Sequence, residues 1–408
     1  MKDCVICRSK IKPFISFGRM PLANGFILPS ETFNEYFYDL AVAFCSKCFA
    51  VQLMDQPDRE KMFHSDYPFF SETSALMGQH FDRLASQILS KNLAGRINPF
   101  VVEIGSNDGI LLKNFHRAGI RYLGIEPSSG VAEIAKKKGL NTIIDFFDPG
   151  LAENVRTQYG LADVIVAANV VCHIPTLPSI FEAVKVLLHS EGFFIFEDPY
   201  VGEVIRKTSY DQIYDEHYFL FSLLFVRNLA RMHDMELIDA ESQETHGGSM
   251  RYTLVKKGNL SQSCNTRVDS LIAKELELGL DKEITYTQFM KSCQIHRMRF
   301  LELLDRIKSD GKSIVGYAAT SKSTTIINYC GITDKYLDYI CDTTPVKHGK
   351  LSPGAHIPVK PYSEFRRNYP DYALLFAYNH EKEIMEKEKE FTAQGGHWLH
   401  YVPTVRTQ

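Results

Sequence analysis

Phe100-Val101-Val102-Glu103-Ile104-Gly105-Ser106-Asn107-Asp108-Gly109 is an apolar run that passes directly into a loop of small and polar residues, and the helical stretch Leu111 to Arg117 follows. A strand, a tight turn rich in glycine and a helix in that order let the backbone approach a ligand at the carboxyl edge of a sheet. Eighteen residues past Asp108, Glu126 closes a second apolar run, Tyr122 to Glu126, where an acid can accept both hydroxyls of a ribose. Two ligand classes meet this description. A nicotinamide fingerprint has the spacing GxGxxG, and the loop here reads GSNDG with a carboxylate, Glu103, before the first glycine. That acid suits an ammonium or sulfonium group better than a pyrophosphate, which favours S-adenosylmethionine.

Working outward, further strand-like runs alternate with helical ones: Thr142 to Ile144, Val164 to Ala167 and Phe193 to Phe196. Such alternation predicts an α/β fold built on a mostly parallel sheet. Glu236-Leu237-Ile238 and Arg251 to Val255 close the block with little between them but Gly247-Gly248, so the last pair must be antiparallel. Before the block, Ser71 to Leu93 reads as helix through Leu76, Phe81, Leu84 and Ile88. After it, residues 259 to 310 read as charged amphipathic helix, and Ser313-Ile314-Val315-Gly316-Tyr317-Ala318 opens a second α/β block.

A chain of 408 residues with 45% hydrophobic and 12% aromatic residues is large enough for more than one core. No apolar run reaches the roughly 18 residues of a membrane span, and the start Met1-Lys2-Asp3-Cys4 has no secretory character, so a cytoplasmic location is the expectation. Forty-six basic against 49 acidic residues, a net charge of -3, argue against a nucleic-acid partner and a zinc-bearing RNA-binding module.

Nine cysteines would be odd for a disulfide scaffold, and the reducing cytosol expected for this chain disfavours bridges. Cys4-Val5-Ile6-Cys7 and Cys45-Ser46-Lys47-Cys48 are two CxxC knuckles whose four thiolates suit a closed tetrahedral site, read here as structural zinc. A redox pair is the alternative, but it calls for a following helix in a βαβ unit. The other five cysteines are expected to act as small apolar residues. Residues 1 to 65 therefore read as a metal-held module too small for a core of its own.

Taken in order, these motifs resemble class I S-adenosylmethionine methyltransferases, and more closely the sugar C-methyltransferases that build branched deoxysugars on nucleotide carriers. The resemblance rests on the knuckles with Pro21-Leu22-Ala23-Asn24 between them, the EIGSNDG loop, Asn169 to Pro175, Tyr214 to Ser222, Gly247-Gly248-Ser249-Met250-Arg251 and Gly316 to Lys322. It implies a zinc-binding domain over 1–65, a class I methyltransferase domain with an antiparallel final strand over 66–258, and a helical linker with a degenerate Rossmann-like domain over 259–408. The implied cofactor site is Glu103, Gly105, Asn107, Asp108, Gly109, Glu126, Pro127, Asp145, Phe146 and Asn169. The implied partner is a nucleotide-diphosphate 4-keto sugar, dTDP-linked first, with no membrane or nucleic-acid partner and a monomer or weak homodimer.

Forming a bond from a sugar carbon to a methyl group needs a carbanion equivalent, accessible only beside a carbonyl. The implied reaction is thus methylation at carbon 3 of a 4-keto-6-deoxyhexose through an enolate, with no catalytic metal. Tyr214, Glu216 and His217 cluster within four residues; matching the family motif, His217 is the expected base, with Glu216 and Tyr214 orienting it or sharing the proton. His173 and Tyr67 are the expected enolate donors. Asn24, Ser321, Lys322, Arg251 and His348 are expected to hold the sugar nucleotide. The stretch Gly316 to Thr324 could hold phosphate at a helix start or could merely pack and shape the cleft. A nicotinamide-dependent oxidoreductase acting on a nucleotide sugar is the competing reading.

Overall fold

The structure is a computed structural model that describes residues 1–62, 75–259 and 266–408. Expected residue Tyr67, and Cys264, lie outside the described residues. Every residue of the strand Phe100–Ile104 in the central block is buried, the signature of a parallel strand covered on both faces by helices.

In chain order the strands are β1 (Lys2–Asp3), β2 (Lys10–Ile11), β3 (Pro13–Pro21), β4 (Phe37–Phe44), β5 (Val51–Leu53), β6 (Phe100–Ile104), β7 (Arg121–Ile125), β8 (Thr142–Ile143), β9 (Ala162–Ala168), β10 (Leu188–Pro199), β11 (Phe219–Leu220), β12 (Met235–Gln243), β13 (Ser249–Lys256), β14 (Ile314–Tyr317), β15 (Ile340–Asp342), β16 (Val359–Pro361), β17 (Tyr372–Leu375), β18 (His397–His400) and β19 (Arg406–Thr407).

The central sheet has the order β12-β13-β10-β9-β6-β7-β8. Its neighbours run parallel except β13, which is antiparallel to both β10 and β12, as the short Gly247-Gly248 connection requires. A late antiparallel strand inserted between two others is the class I methyltransferase arrangement, and it separates this sheet from an all-parallel dinucleotide fold. On one face the helix Ala75–Gln87 contributes Phe81 and Leu84, and Ile88 of the following turn joins them in the core, while Leu76 is 44% exposed.

The N-terminal module is more regular than the sequence suggested. Strands β3, β4 and β5 form an antiparallel sheet, and β11, from the middle of the chain, completes it beside β5. The apolar side of this sheet is closed by the rest of the molecule: Phe44 stacks on Tyr286 of the helix Glu283–Ser309 at 4.2 Å. Phe17 meets Tyr329 at 4.9 Å and Tyr210 at 6.1 Å. A module too small to close a core by itself thus shares the core of its neighbours.

The C-terminal sheet, β16-β15-β14-β17-β18-β19, is parallel up to β18 and has the strand order of a dinucleotide fold, with an antiparallel edge strand. Cys172, Cys293, Cys330 and Cys341 are buried, as expected for small apolar residues.

Candidate active site

The carboxyl edge of the central sheet gathers most of the expected cofactor residues. Gly105 has φ +67°, and a Cβ there would sit 2.3 Å from Val170 Cγ2, so the turn requires glycine for both conformation and space. Gly109 is alike, with φ +84° and Leu140 Cδ1 at 2.2 Å. Asn107 also lies in the left-handed region, which asparagine tolerates well.

Glu126 fixes this loop from the next strand. Its Oε2 accepts the Asn107 N–H at 3.0 Å and its Oε1 the Ser128 N–H at 2.8 Å, across the bend at Pro127. Lys138 donates to the Asp108 carbonyl at 2.9 Å. Glu103, Asp108 and Glu126 are all buried. Burial, and then Glu126 and Asp108, push the Glu103 carboxyl well above the usual range. Its Oε2 has no hydrogen-bond partner among the described residues. Buried acids with an unfilled oxygen are complementary to a cation, so the residues present fit a sulfonium cofactor with an amino group. Asp145 stays at the exposed rim, where it caps the Phe146 N–H at 2.8 Å. Asn169, at φ +57°, holds a buried Oδ1 with no partner among the described residues.

Val170 links this loop to the expected base. It packs on Gly105, and His173, at the end of the turn Val171–His173, stacks on His217 with 5.3 Å between ring centroids. His217 Nδ1 is 2.6 Å from the Gln212 carbonyl and Nε2 is 2.8 Å from the Tyr214 hydroxyl. A carbonyl only accepts, so Nδ1 carries the proton and the Nε2 lone pair receives the Tyr214 O–H. Burial and the nearby His173 hold His217 well below the usual imidazole range, and burial brings His173 down to about 4. Both rings are therefore neutral near pH 7.

Glu216 does not orient His217 as the sequence suggested, because both ring nitrogens are taken by other groups. Its Oε1 instead accepts from Asn24 Nδ2 at 2.6 Å. The neighbouring Asp215 accepts the Ala23 N–H at 2.9 Å, and the Ala23 carbonyl accepts from Thr324 at 2.8 Å. The loop of the metal module is thereby tied to both the base loop and the helix Ser321–Cys330. Ser321 hydrogen-bonds Tyr214 from that helix start.

The remaining expected substrate residues divide. Lys322 is buried at the start of the same helix, donates to the His246 carbonyl at 3.3 Å, and is pushed down to about 8 by burial, with Asp211 acting against that shift. Arg251 is committed elsewhere: its Nε bonds Glu197, and its Nη1 reaches Gln87 at 2.5 Å and Glu241 at 3.4 Å. Glu197 also meets His80 Nε2 at 2.6 Å, so Arg251 belongs to a buried ion-pair network. His348 donates to the Asp342 carbonyl at 2.9 Å. Asp342 itself accepts the Ala319 N–H at 2.7 Å and the Thr344 N–H at 2.7 Å, the same clamp that Glu126 makes on its loop. Lys347, buried beside them, was not singled out in the sequence; it donates to the Ala319 carbonyl at 2.7 Å.

The four knuckle sulfurs converge. Cys4 and Cys48 lie 3.6 Å apart, Cys7 and Cys45 3.5 Å apart, and all four sulfurs fall within 4.8 Å. A tetrahedron of sulfurs about 2.3 Å from zinc has edges of about 3.8 Å, so the cluster fits such an ion.

Three family models match successive stretches of the chain: a putative zinc binding domain over residues 4–63, a methyltransferase domain over 77–240 and a C-methyltransferase C-terminal domain over 244–403. The chain is therefore a methyltransferase carrying the C-methyltransferase domain set. C-methyltransferase NovU of Streptomyces niveus is 29% identical to it over 406 residues, which cover 99% of this chain and 96% of NovU. Among solved structures, a SAM-dependent methyltransferase from Anabaena variabilis is 15% identical and covers 43% of this chain and 84% of its own, with a TM-score of 0.35. Magnesium protoporphyrin IX methyltransferase from Synechocystis is 14% identical over 44% of this chain and 79% of its own, with a TM-score of 0.34. Those two likenesses are too distant to bear on the chemistry. Among the described residues no helix is long and apolar enough to cross a membrane.

Proposed function

We propose that the chain is an S-adenosylmethionine-dependent C-methyltransferase acting at carbon 3 of a nucleotide-linked 4-keto-6-deoxyhexose. The observation that carries this reading is the hydrogen-bond chain from Ser321 through Tyr214 and His217 to the Gln212 carbonyl, set beside the Glu103 loop. A neutral imidazole of fixed tautomer, backed by a phenol, is apparatus for moving a proton and has no obvious use in attack by an already nucleophilic oxygen or nitrogen. The full-length likeness to a C-methyltransferase supports the same choice.

In this reading Glu103, Asp108, Glu126 and Asn169 hold the cofactor, which when bound supplies an electrophilic methyl. The carbon 3 proton passes to His217 Nε2 with the Tyr214 hydroxyl as relay, and the electron pair moves into the enolate. His173 stabilises the oxyanion, Asn24 holds Glu216 in place, and Lys322 faces the sugar nucleotide. The buried surroundings keep water from quenching the enolate. Cys4, Cys7, Cys45 and Cys48 hold a structural zinc ion that orders the loop carrying Asn24.

The test is to incubate the purified chain with labelled S-adenosylmethionine and a panel of dTDP- and GDP-linked 4-keto sugars. Mass spectrometry should show a carbon-bound methyl on a 4-keto substrate. Transfer only to oxygen or nitrogen would reject the proposal.

A further inference from the structure

From the geometry of the turn between β12 and β13 we infer that His246 is a further catalytic residue, its imidazole donating a hydrogen bond to the sugar carbonyl oxygen as it becomes the enolate; this rests on the function proposed above.

The topology places the residue. Because β13 runs against β10, its first residue, Ser249, pairs with Pro199 at the end of β10, so the turn Thr245–Gly247 lies at the carboxyl edge where Gly105 and Asn169 also lie. Three side chains pin this turn. The His246 carbonyl accepts from Lys322 at 3.3 Å and from the Gln212 side-chain amide, and the Gly247 carbonyl accepts from Lys207 at 2.5 Å. Gln212 is thus shared: its backbone carbonyl fixes the His217 tautomer while its side chain fixes the His246 backbone.

The backbone of the turn is left-handed at His246. His246 sits at φ +52°, in the left-handed region where asparagine, aspartate and histidine are the side chains most often found after glycine. Gly247 and Gly248 follow at φ +86° and +123°, so the turn itself has glycines to spare. The imidazole makes no hydrogen bond among the described residues, although it lies within electrostatic range of His217, His173 and Lys322. Burial and Lys322 keep the ring neutral, and a neutral imidazole is a competent donor to a developing enolate.

Two substitutions separate the side chain from the turn. H246G removes the imidazole while relaxing the backbone, and H246N keeps a donor at a φ that asparagine accepts. With a nucleotide-linked 4-keto sugar that the wild type methylates, H246G should lower kcat about 100-fold with KM within a few-fold. H246N should recover part of that loss, and S-adenosylhomocysteine should still raise the Tm of both. An H246G chain that works at the wild-type rate overturns the inference, as does equal loss in both variants with a common fall in Tm. A wild-type chain that methylates no nucleotide-linked 4-keto sugar overturns the underlying function and this inference with it, a pattern distinct from an active H246G.

Discussion

The Tyr214 hydroxyl lies 2.8 Å from Nε2 of His217, whose Nδ1 is held at 2.6 Å by the Gln212 carbonyl. The pair has one proton donor, one lone pair and a fixed tautomer, which makes its members separable by mutation. His217→Ala should abolish both methyl transfer and solvent-deuterium incorporation at carbon 3, by about 100-fold or more. Tyr214→Phe should slow both less severely. S-adenosylhomocysteine should still stabilise each variant in a thermal melt. Exchange retained in His217→Ala would move the base elsewhere.

The pH profile follows from the same burial. A free imidazole titrates near about 6.5, and His217 is held well below its usual range, so the base stays unprotonated on moderate acidification. The acid limb of kcat should therefore fall below pH 6.5. Lys322, pushed down to about 8, is charged below that pH and neutral above it, so KM for the anionic sugar nucleotide should rise as pH passes about 8. Steady-state kinetics from pH 5 to 10 measure both limbs, and an acid limb at or above 6.5 contradicts the assignment.

Glu103 should matter for affinity and not for folding. Its carboxyl is buried, with Glu126 and Asp108 acting against its ionisation. Glu103→Gln keeps the shape, removes that conflict and removes the counter-charge for the cofactor. Calorimetry should show affinity for S-adenosylmethionine down about 10-fold or more, while the Tm of the ligand-free chain does not fall. A large drop in that Tm would make Glu103 a structural residue.

Metal content should be about one zinc per chain, and Cys48→Ser should abolish it. Because Asn24 and Ala23 reach across to Glu216 and Asp215, loss of the ion should cost activity as well as several degrees of Tm. Elemental analysis beside a melt and an activity assay tests this; full activity in a metal-free folded preparation counts against it.

Asn24→Ala should lower kcat about 10-fold with the zinc content unchanged, because the Asn24 hydrogen bond to Glu216 Oε1 is lost while the four thiolates remain. Zinc loss in this variant would instead place Asn24 in the folding of the module.

Much of the fold was legible in the sequence because its signals are local. The apolar run ending at Ile104, the small residues after it and the acid at Glu126 lie within one βαβ unit, and the CxxC spacing brings two sulfurs to one turn without help from the rest of the chain. The short Gly247-Gly248 connection likewise dictated an antiparallel strand. What the sequence could not determine are pairings between distant segments. It placed Glu216 beside His217 by proximity, yet side-chain directions in the folded loop give that histidine to Gln212 and Tyr214 and give Glu216 to Asn24, which is 192 residues away. Arg251 was expected to hold the sugar nucleotide, but burial beside Glu197 commits it to an ion pair. The short strand Phe219–Leu220 carried no strand signal of its own, and only the open edge at β5 made it the fourth strand of the N-terminal sheet. Local sequence thus determined which elements form and which ligand class their loops suit. Tertiary packing decided which polar groups are neutralised and which remain directed at the cleft, because a buried polar group must take whatever partner the fold brings within about 3 Å.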